Sequence, residues 1–183
     1  MTTSCGAPAF PLRGIWLGSD YLDDVFDPGR LVEDARSHLV TAQVFFDTLV
    51  GTGLSGALII PILALELGVD YALVRTTGDS RHARTSIEGF LGRSWLFVDD
   101  HICTGSTFRR VHRAITAAAQ AEGHATSLAG SYCYQRALRG QDPVMPATTL
   151  CRRYLRTVKP LLRTGAQATR RSTAETRRSC RDR

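Results

Sequence analysis

The stretch SWLFVDD, residues 94–100, limits the possible folds of this chain more than any other. Trp95, Leu96, Phe97 and Val98 are consecutive, bulky and apolar, with no polar residue alternating between them. A strand with one wet face alternates, whereas one without alternation must be covered on both faces, as in a parallel sheet sandwiched by helices. The way the run ends is equally informative. Asp99 and Asp100 stand side by side, and HICTGST (101–107) follows, closing on Thr104, Gly105, Ser106 and Thr107. Packing gains little from two adjacent carboxylates at the end of a buried strand, so the placement points to chemistry.

The flanking sequence supports that architecture. DPGRLVEDARSHLVTAQVFF (27–46) predicts a helix with Asp27 as N-cap and Pro28 at its first position. Leu31, Ala35, Leu39, Ala42 and Phe46 recur along it at helical spacing. DTLVGTGLSG (47–56) reads as a short strand breaking into a glycine-rich turn. ALIIPILALELG (57–68) is apolar all round and predicts a buried helix stopped by Gly68, with Pro61 marking a late start or a kink. DYALVRT (70–76) is a second strand, followed by the polar stretch TGDSRHARTSIEGFLGR. After the third strand at 94–100, Phe108, Val111, Ile115 and Ala118 form the stripe of a helix that Gly123 ends, and ATSLAGSYCY (125–134) is a fourth strand. Strands alternating with helices imply an α/β, Rossmann-like parallel sheet flanked by helices.

At 183 residues the chain fits one domain with a real core. Its net charge of +6 is uneven. Residues 152–183 carry ten arginines and one lysine against two acids, a balance of +9, which leaves residues 1–151 mildly acidic at −3. We therefore expect a folded body over 1–151 and a basic, disordered tail over 152–183, with contact to nucleic acid as the tail's alternative use. Five scattered cysteines argue against a disulfide framework or a zinc site. No secretory signal is evident, and the longest apolar stretch, LSGALIIPILAL, is too short for a bilayer. A cytoplasmic location without membrane contact is the expectation.

Ligands of open parallel sheets bind at the carboxyl ends of the strands. The turn at 104–107 would open a helix there, and helix N-termini favour anions, phosphate above all. Gly105 permits close backbone approach, and the hydroxyls of Thr104, Ser106 and Thr107 can donate to phosphate oxygens. Asp99 and Asp100 are acceptors suited to a vicinal diol or to hydrated Mg²⁺. Phosphate and diol together describe a ribose 5-phosphate.

VDDHICTGST resembles the phosphoribosyl pyrophosphate (PRPP) motif of type I phosphoribosyltransferases. GTGLSG (51–56) resembles the family's pyrophosphate loop, and RTTGDSRHARTS (75–86) stands where its mobile catalytic loop lies. The resemblance implies the type I phosphoribosyltransferase fold with a small N-terminal hood within residues 1–45, carrying Phe10, Trp16 and Tyr21. It further implies transfer of phosphoribose from Mg²⁺–PRPP to a purine, pyrimidine or orotate-like base, with pyrophosphate released, commonly by a homodimer. Asp99 and Asp100 would hold the ribose hydroxyls and act on Mg²⁺ through water. Cys103, Thr104, Gly105, Ser106 and Thr107 would line the 5-phosphate site. Thr52, Gly53 and Ser55 would face pyrophosphate, and Arg75, Arg81, His82 and Arg84 would neutralise its developing charge.

The chain departs from the family pattern at three places. His101 replaces an apolar residue. Cys103 replaces the aspartate of 6-oxopurine enzymes, which points away from that substrate class. The only lysine is Lys159, so arginine must stand in for the lysine of the catalytic loop. A PRPP- or nucleotide-sensing regulator on the same fold is the alternative reading.

Overall fold

Four parallel strands form the centre of the protein in a computed structural model that describes residues 27–76, 86–138 and 140–155. They are β1 (Thr48–Thr52), β2 (Asp70–Val74), β4 (Ser94–Asp99) and β5 (Ser127–Cys133). Short antiparallel strands, β3 (Ile87–Gly89) and β6 (Val144–Pro146), border them, giving the order β3-β2-β1-β4-β5-β6. The expected class, an α/β parallel sheet flanked by helices, is the one adopted. The two edge strands are additions to the four expected.

Helix α1 (Pro28–Thr41) begins as its sequence predicts, with the Asp27 carboxylate accepting from the Arg30 N–H at 3.1 Å. It ends at Thr41 rather than Phe46. Gln43 turns into the left-handed region (φ 51°), while the Gln43 and Val44 N–H groups donate to the carbonyls of Val40 and Leu39. This is a helix-closing motif usually built on glycine. Here Gln43 accepts the strain while Val44 and Phe46 pack against the core.

Helix α2 (Gly53–Leu67) starts directly after β1, so Pro61 lies inside it instead of marking a late start. The carbonyl that Pro61 leaves without a donor belongs to Ala57, which is exposed and can be hydrated. Gly68 stops the helix in the left-handed conformation. The expectation of burial all round is corrected: Leu54 and Leu65 are 58% and 81% exposed. One face packs on the sheet and α1, leaving the opposite face outside. Helix α3 (Ser106–Ala121) buries Phe108, Val111, Ile115 and Ala119, the last in place of Ala118.

These helices cover both faces of the sheet. Leu49, Leu96 and Val98 join α1 and α2 in one core cluster, whereas Val50, Trp95 and Phe97 join α3 in the other. Two-sided cover explains the unbroken apolar run in β4.

Packing continues past residue 151. After α4 (Tyr134–Leu138) and α5 (Ala147–Leu150), a π-helical turn (Cys151–Leu155) brings Tyr154 into the second core cluster. Phe10, Trp16, Tyr21, residues 77–85 and residues 156–183 lie outside the described residues. Among the described residues, no helix is long and apolar enough to cross a membrane.

Candidate functional site at the switch point of the sheet

The chain leaves β1 through α2 toward β2 on one side, and leaves β4 through α3 toward β5 on the other. β1 and β4 are nevertheless neighbours. Such a reversal opens a crevice above the carboxyl ends of the two strands, where ligands of open α/β sheets bind. Thr52 ends one strand and Asp99 the other, so the two sequence segments singled out above converge there.

Gly105 stands in the left-handed region (φ 71°) and delivers the loop into α3, whose first N–H groups lack helical acceptors. The Thr104 hydroxyl donates to Ser106 Oγ at 3.1 Å, and the Ser106 N–H donates back to Thr104 Oγ1 at 3.4 Å. A cavity of about 110 Å³ lies within this turn, walled by Asp99, His101, Cys103, Thr104, Ser106 and Thr107 among others. His101 and Cys103 are exposed.

Asp99 is buried, and its Oδ1 accepts from the Asp100 N–H at 3.1 Å. Burial pushes its pKa up to about 8, with the neighbouring Asp100 carboxyl adding to the rise. The Asp100 N–H and the Arg110 guanidinium offset only part of it. Asp99 thus keeps a proton at neutral pH, and little inside the protein stabilises its charge.

No group of three or more His, Cys, Asp or Glu side chains among the described residues could hold a metal. A cation bound by side chains alone does not fit this site. Asp99 and Asp100 do offer carboxylate oxygens, the donor type that Mg²⁺ takes alongside water and phosphate.

The segment GTGLSG serves two purposes. A Cβ on Gly51 would collide with the Ile60 side chain and approach the Val98 carbonyl to 3.1 Å, and one on Gly56 would meet the Gly51 backbone at 3.2 Å. These two glycines let α2 lie close against β1. Gly53 alone forms the junction, with φ 68° and nothing within 4 Å of where a Cβ would stand. The turn read from sequence is therefore a single residue, followed at once by helix containing Ser55. The Thr52 hydroxyl is already engaged: it donates to the Val74 carbonyl at 2.5 Å and accepts from Arg110 Nη2 at 3.0 Å.

Arg75 follows β2 and pairs with Glu88 at 3.2 Å. With Gly53, Leu54, Val74 and Thr76, these two line a cavity of about 360 Å³. Arg75 and Gly53 are thus brought together in one cavity, and Asp99 and the 104–107 turn in another. Arg81, His82 and Arg84 lie outside the described residues.

Two residues escaped sequence reasoning. Arg110, one turn into α3, donates to the Arg75 carbonyl at 2.9 Å as well as to Thr52, joining the tops of β1 and β2 beside Asp99. Its only sequence signal is the Arg109-Arg110 pair just after the TGST turn. Tyr154 packs under that turn from the far end of the described chain, and nothing in its neighbours signals the contact.

No protein-family model matches the chain, and no curated protein does. Similar solved structures include orotate phosphoribosyltransferase from Francisella tularensis, at 17% identity over 59% of this chain and 51% of that one, with a TM-score of 0.44. This chain therefore spans about half of that enzyme's length. Orotate phosphoribosyltransferase from Aeropyrum pernix is 15% identical over 72% of this chain and 78% of that one, with a TM-score of 0.45. Adenine phosphoribosyltransferase from Saccharomyces cerevisiae, complexed with an imino-altritol bisphosphate and adenine, is 24% identical over 73% and 86%, with a TM-score of 0.42. At these TM-scores the likenesses leave function to be read from the chain's own residues.

Proposed function

We propose that this protein binds Mg²⁺–PRPP and transfers its phosphoribosyl group to a nitrogenous base. The observation that carries the reading is the Asp99–Asp100 pair, at the end of a fully covered strand, opening onto the N-terminus of α3 at the sheet's switch point. The 5-phosphate would take N–H groups and hydroxyls from 104–107, and the ribose 2- and 3-hydroxyls would donate to Asp99 and Asp100. Gly53 and Ser55 would face the diphosphate, with Arg75, and Arg81, His82 and Arg84 from residues 77–85, completing its anion side.

The reaction breaks the bond from C1 to the diphosphate oxygen, which departs with the electron pair. A base nitrogen then bonds to C1 and gives up its proton. Mg²⁺, bound on the diphosphate, supplies positive charge to the leaving group. The chain's own contribution is placement and stabilisation of developing charge.

A second reading, a PRPP-binding regulator, is favoured by one observation. Thr52 and Arg75, both expected to face pyrophosphate, are tied to Val74, Arg110 and Glu88. Incubating purified protein with Mg²⁺–PRPP and a panel of purines, pyrimidines and orotate tests both readings. Pyrophosphate release with one base supports the enzyme; calorimetric PRPP binding without release supports the regulator. Absence of binding overturns both.

A further inference from the structure

We infer that Tyr154 is a positioning residue for the 5-phosphate turn, an inference resting on the phosphoribose site proposed above. Three contacts hold the turn from below. Before it, the Tyr154 hydroxyl donates to the Ile102 carbonyl at 3.3 Å. At its centre, a Cβ on Gly105 would fall into the Tyr154 ring, 2.7 Å from Cγ. After it, the Phe108 ring meets the Tyr154 ring edge-on at 6.2 Å between centroids. Arg109 closes the circuit, its Nη1 donating to the Thr104 carbonyl at 3.2 Å and to the Tyr154 carbonyl at 3.5 Å.

A turn whose amides hold an anion loses affinity if it must first be ordered, because the ordering entropy is charged against binding. Ile102 and Phe108 anchor the ends of the turn in the core, but Cys103 and Thr104 between them are exposed and Gly105 is left-handed, so the middle of the turn has little packing of its own. The buried Tyr154 ring supplies the missing floor. The same contact gives Gly105 a second reason to be glycine: any side chain there would displace the floor as well as strain the backbone.

The test uses the full chain and ribose 5-phosphate. Tyr154→Phe keeps the ring and loses the hydroxyl, Tyr154→Ala loses both, and Leu150→Ala removes another buried side chain of the same core cluster as a control for general loosening. Tyr154→Phe should melt near wild type yet bind ribose 5-phosphate about 3- to 5-fold more weakly, as expected for one long hydrogen bond. Tyr154→Ala should bind more than about 10-fold more weakly, in keeping with the loss of a buried aromatic. Amide exchange in both should accelerate at 102–107 beyond any general rise, whereas Leu150→Ala should raise exchange evenly and leave affinity unchanged.

Wild-type affinity in both Tyr154 variants, or exchange rising only evenly, would overturn the inference; should Tyr154→Ala fail to fold, Tyr154→Phe decides it alone. A wild-type protein that binds neither ribose 5-phosphate nor PRPP removes the function itself, and the inference with it.

Discussion

Two aspartates mark the two ends of the sheet, and they live in opposite circumstances. Asp47, just before β1, accepts from the Arg93 N–H at 2.8 Å, the Ser94 N–H at 3.1 Å and the Thr48 hydroxyl at 2.9 Å. Burial alone would raise its pKa, but the hydrogen bonds from Thr48, Ser94 and Arg93 outweigh it and the pKa falls. Asp99, at the top of β4, has a backbone donor only in Asp100, and its pKa is pushed up to about 8. Asp47 finds its donors within the protein and joins the bottoms of β1 and β4. Asp99 lacks them, which is reasonable if they arrive with a ligand. A carboxylate that stabilises the fold is satisfied at home, whereas one retained for binding is not.

The sharpest way to break this contrast is to neutralise the top. Asp99→Asn combined with Asp100→Asn should weaken PRPP binding by at least about 30-fold, since a hydrogen bond to the neutral Asp99 carboxyl contributes roughly 0.5–1.5 kcal/mol and one to a charged carboxylate roughly 1.5–3 kcal/mol. The fold should remain intact. Unchanged PRPP affinity by calorimetry would place the ligand elsewhere. Neutralising the bottom should do the reverse. Asp47→Ala leaves two backbone N–H groups at a partly hydrated turn and should cost about 2 kcal/mol in denaturant unfolding, with PRPP affinity unaltered.

The same two groups should give opposite dependences on pH. Asp99 releases its proton near pH 3.8 when unfolded but only near 8 when folded, so folding takes up a proton between these values. Its contribution is fully present below about pH 3.8 and is lost as pH rises toward 8, with a slope of at most about 1.4 kcal/mol per pH unit. Asp47, with its pKa lowered, contributes above pH 3.8 and loses that contribution as pH falls through its folded value. Denaturant melts from pH 4 to 9 should therefore flatten for Asp99→Asn. An unchanged profile would mean that Asp99 is ionised at home after all.

How much of this was legible in the sequence differs between the two ends as well. The top announced itself, because Asp99, Asp100 and the TGST turn form one continuous segment whose residue types share one chemistry. The bottom did not, since Asp47 acquires its meaning from Arg93 and Ser94, which are distant in the chain. Arg110 and Tyr154 were illegible for the same reason: each reaches residues far from it, in β1 and in the turn before α3. The four parallel strands were readable from apolar runs that both-sided cover demands. β3 and β6 were not, being three-residue edges held by backbone pairing that any side chain tolerates. The end of α1 was missed because Gln43 does what a glycine usually does.

The smallest expected effect concerns Glu88, which holds Arg75 beside the cavity at Gly53. The pair is partly open to water, with side chains 27% and 52% exposed, so its ion-pair energy is screened. Glu88→Gln should change unfolding stability by less than about 0.5 kcal/mol. Yet it removes a carboxylate that competes with diphosphate for Arg75 and adds negative charge next to the proposed anion. PRPP affinity should therefore rise by about 2-fold while ribose 5-phosphate affinity stays level, because only the former carries a diphosphate. Equal rises for both ligands would assign Glu88 to the general field of the crevice and detach Arg75 from the leaving group.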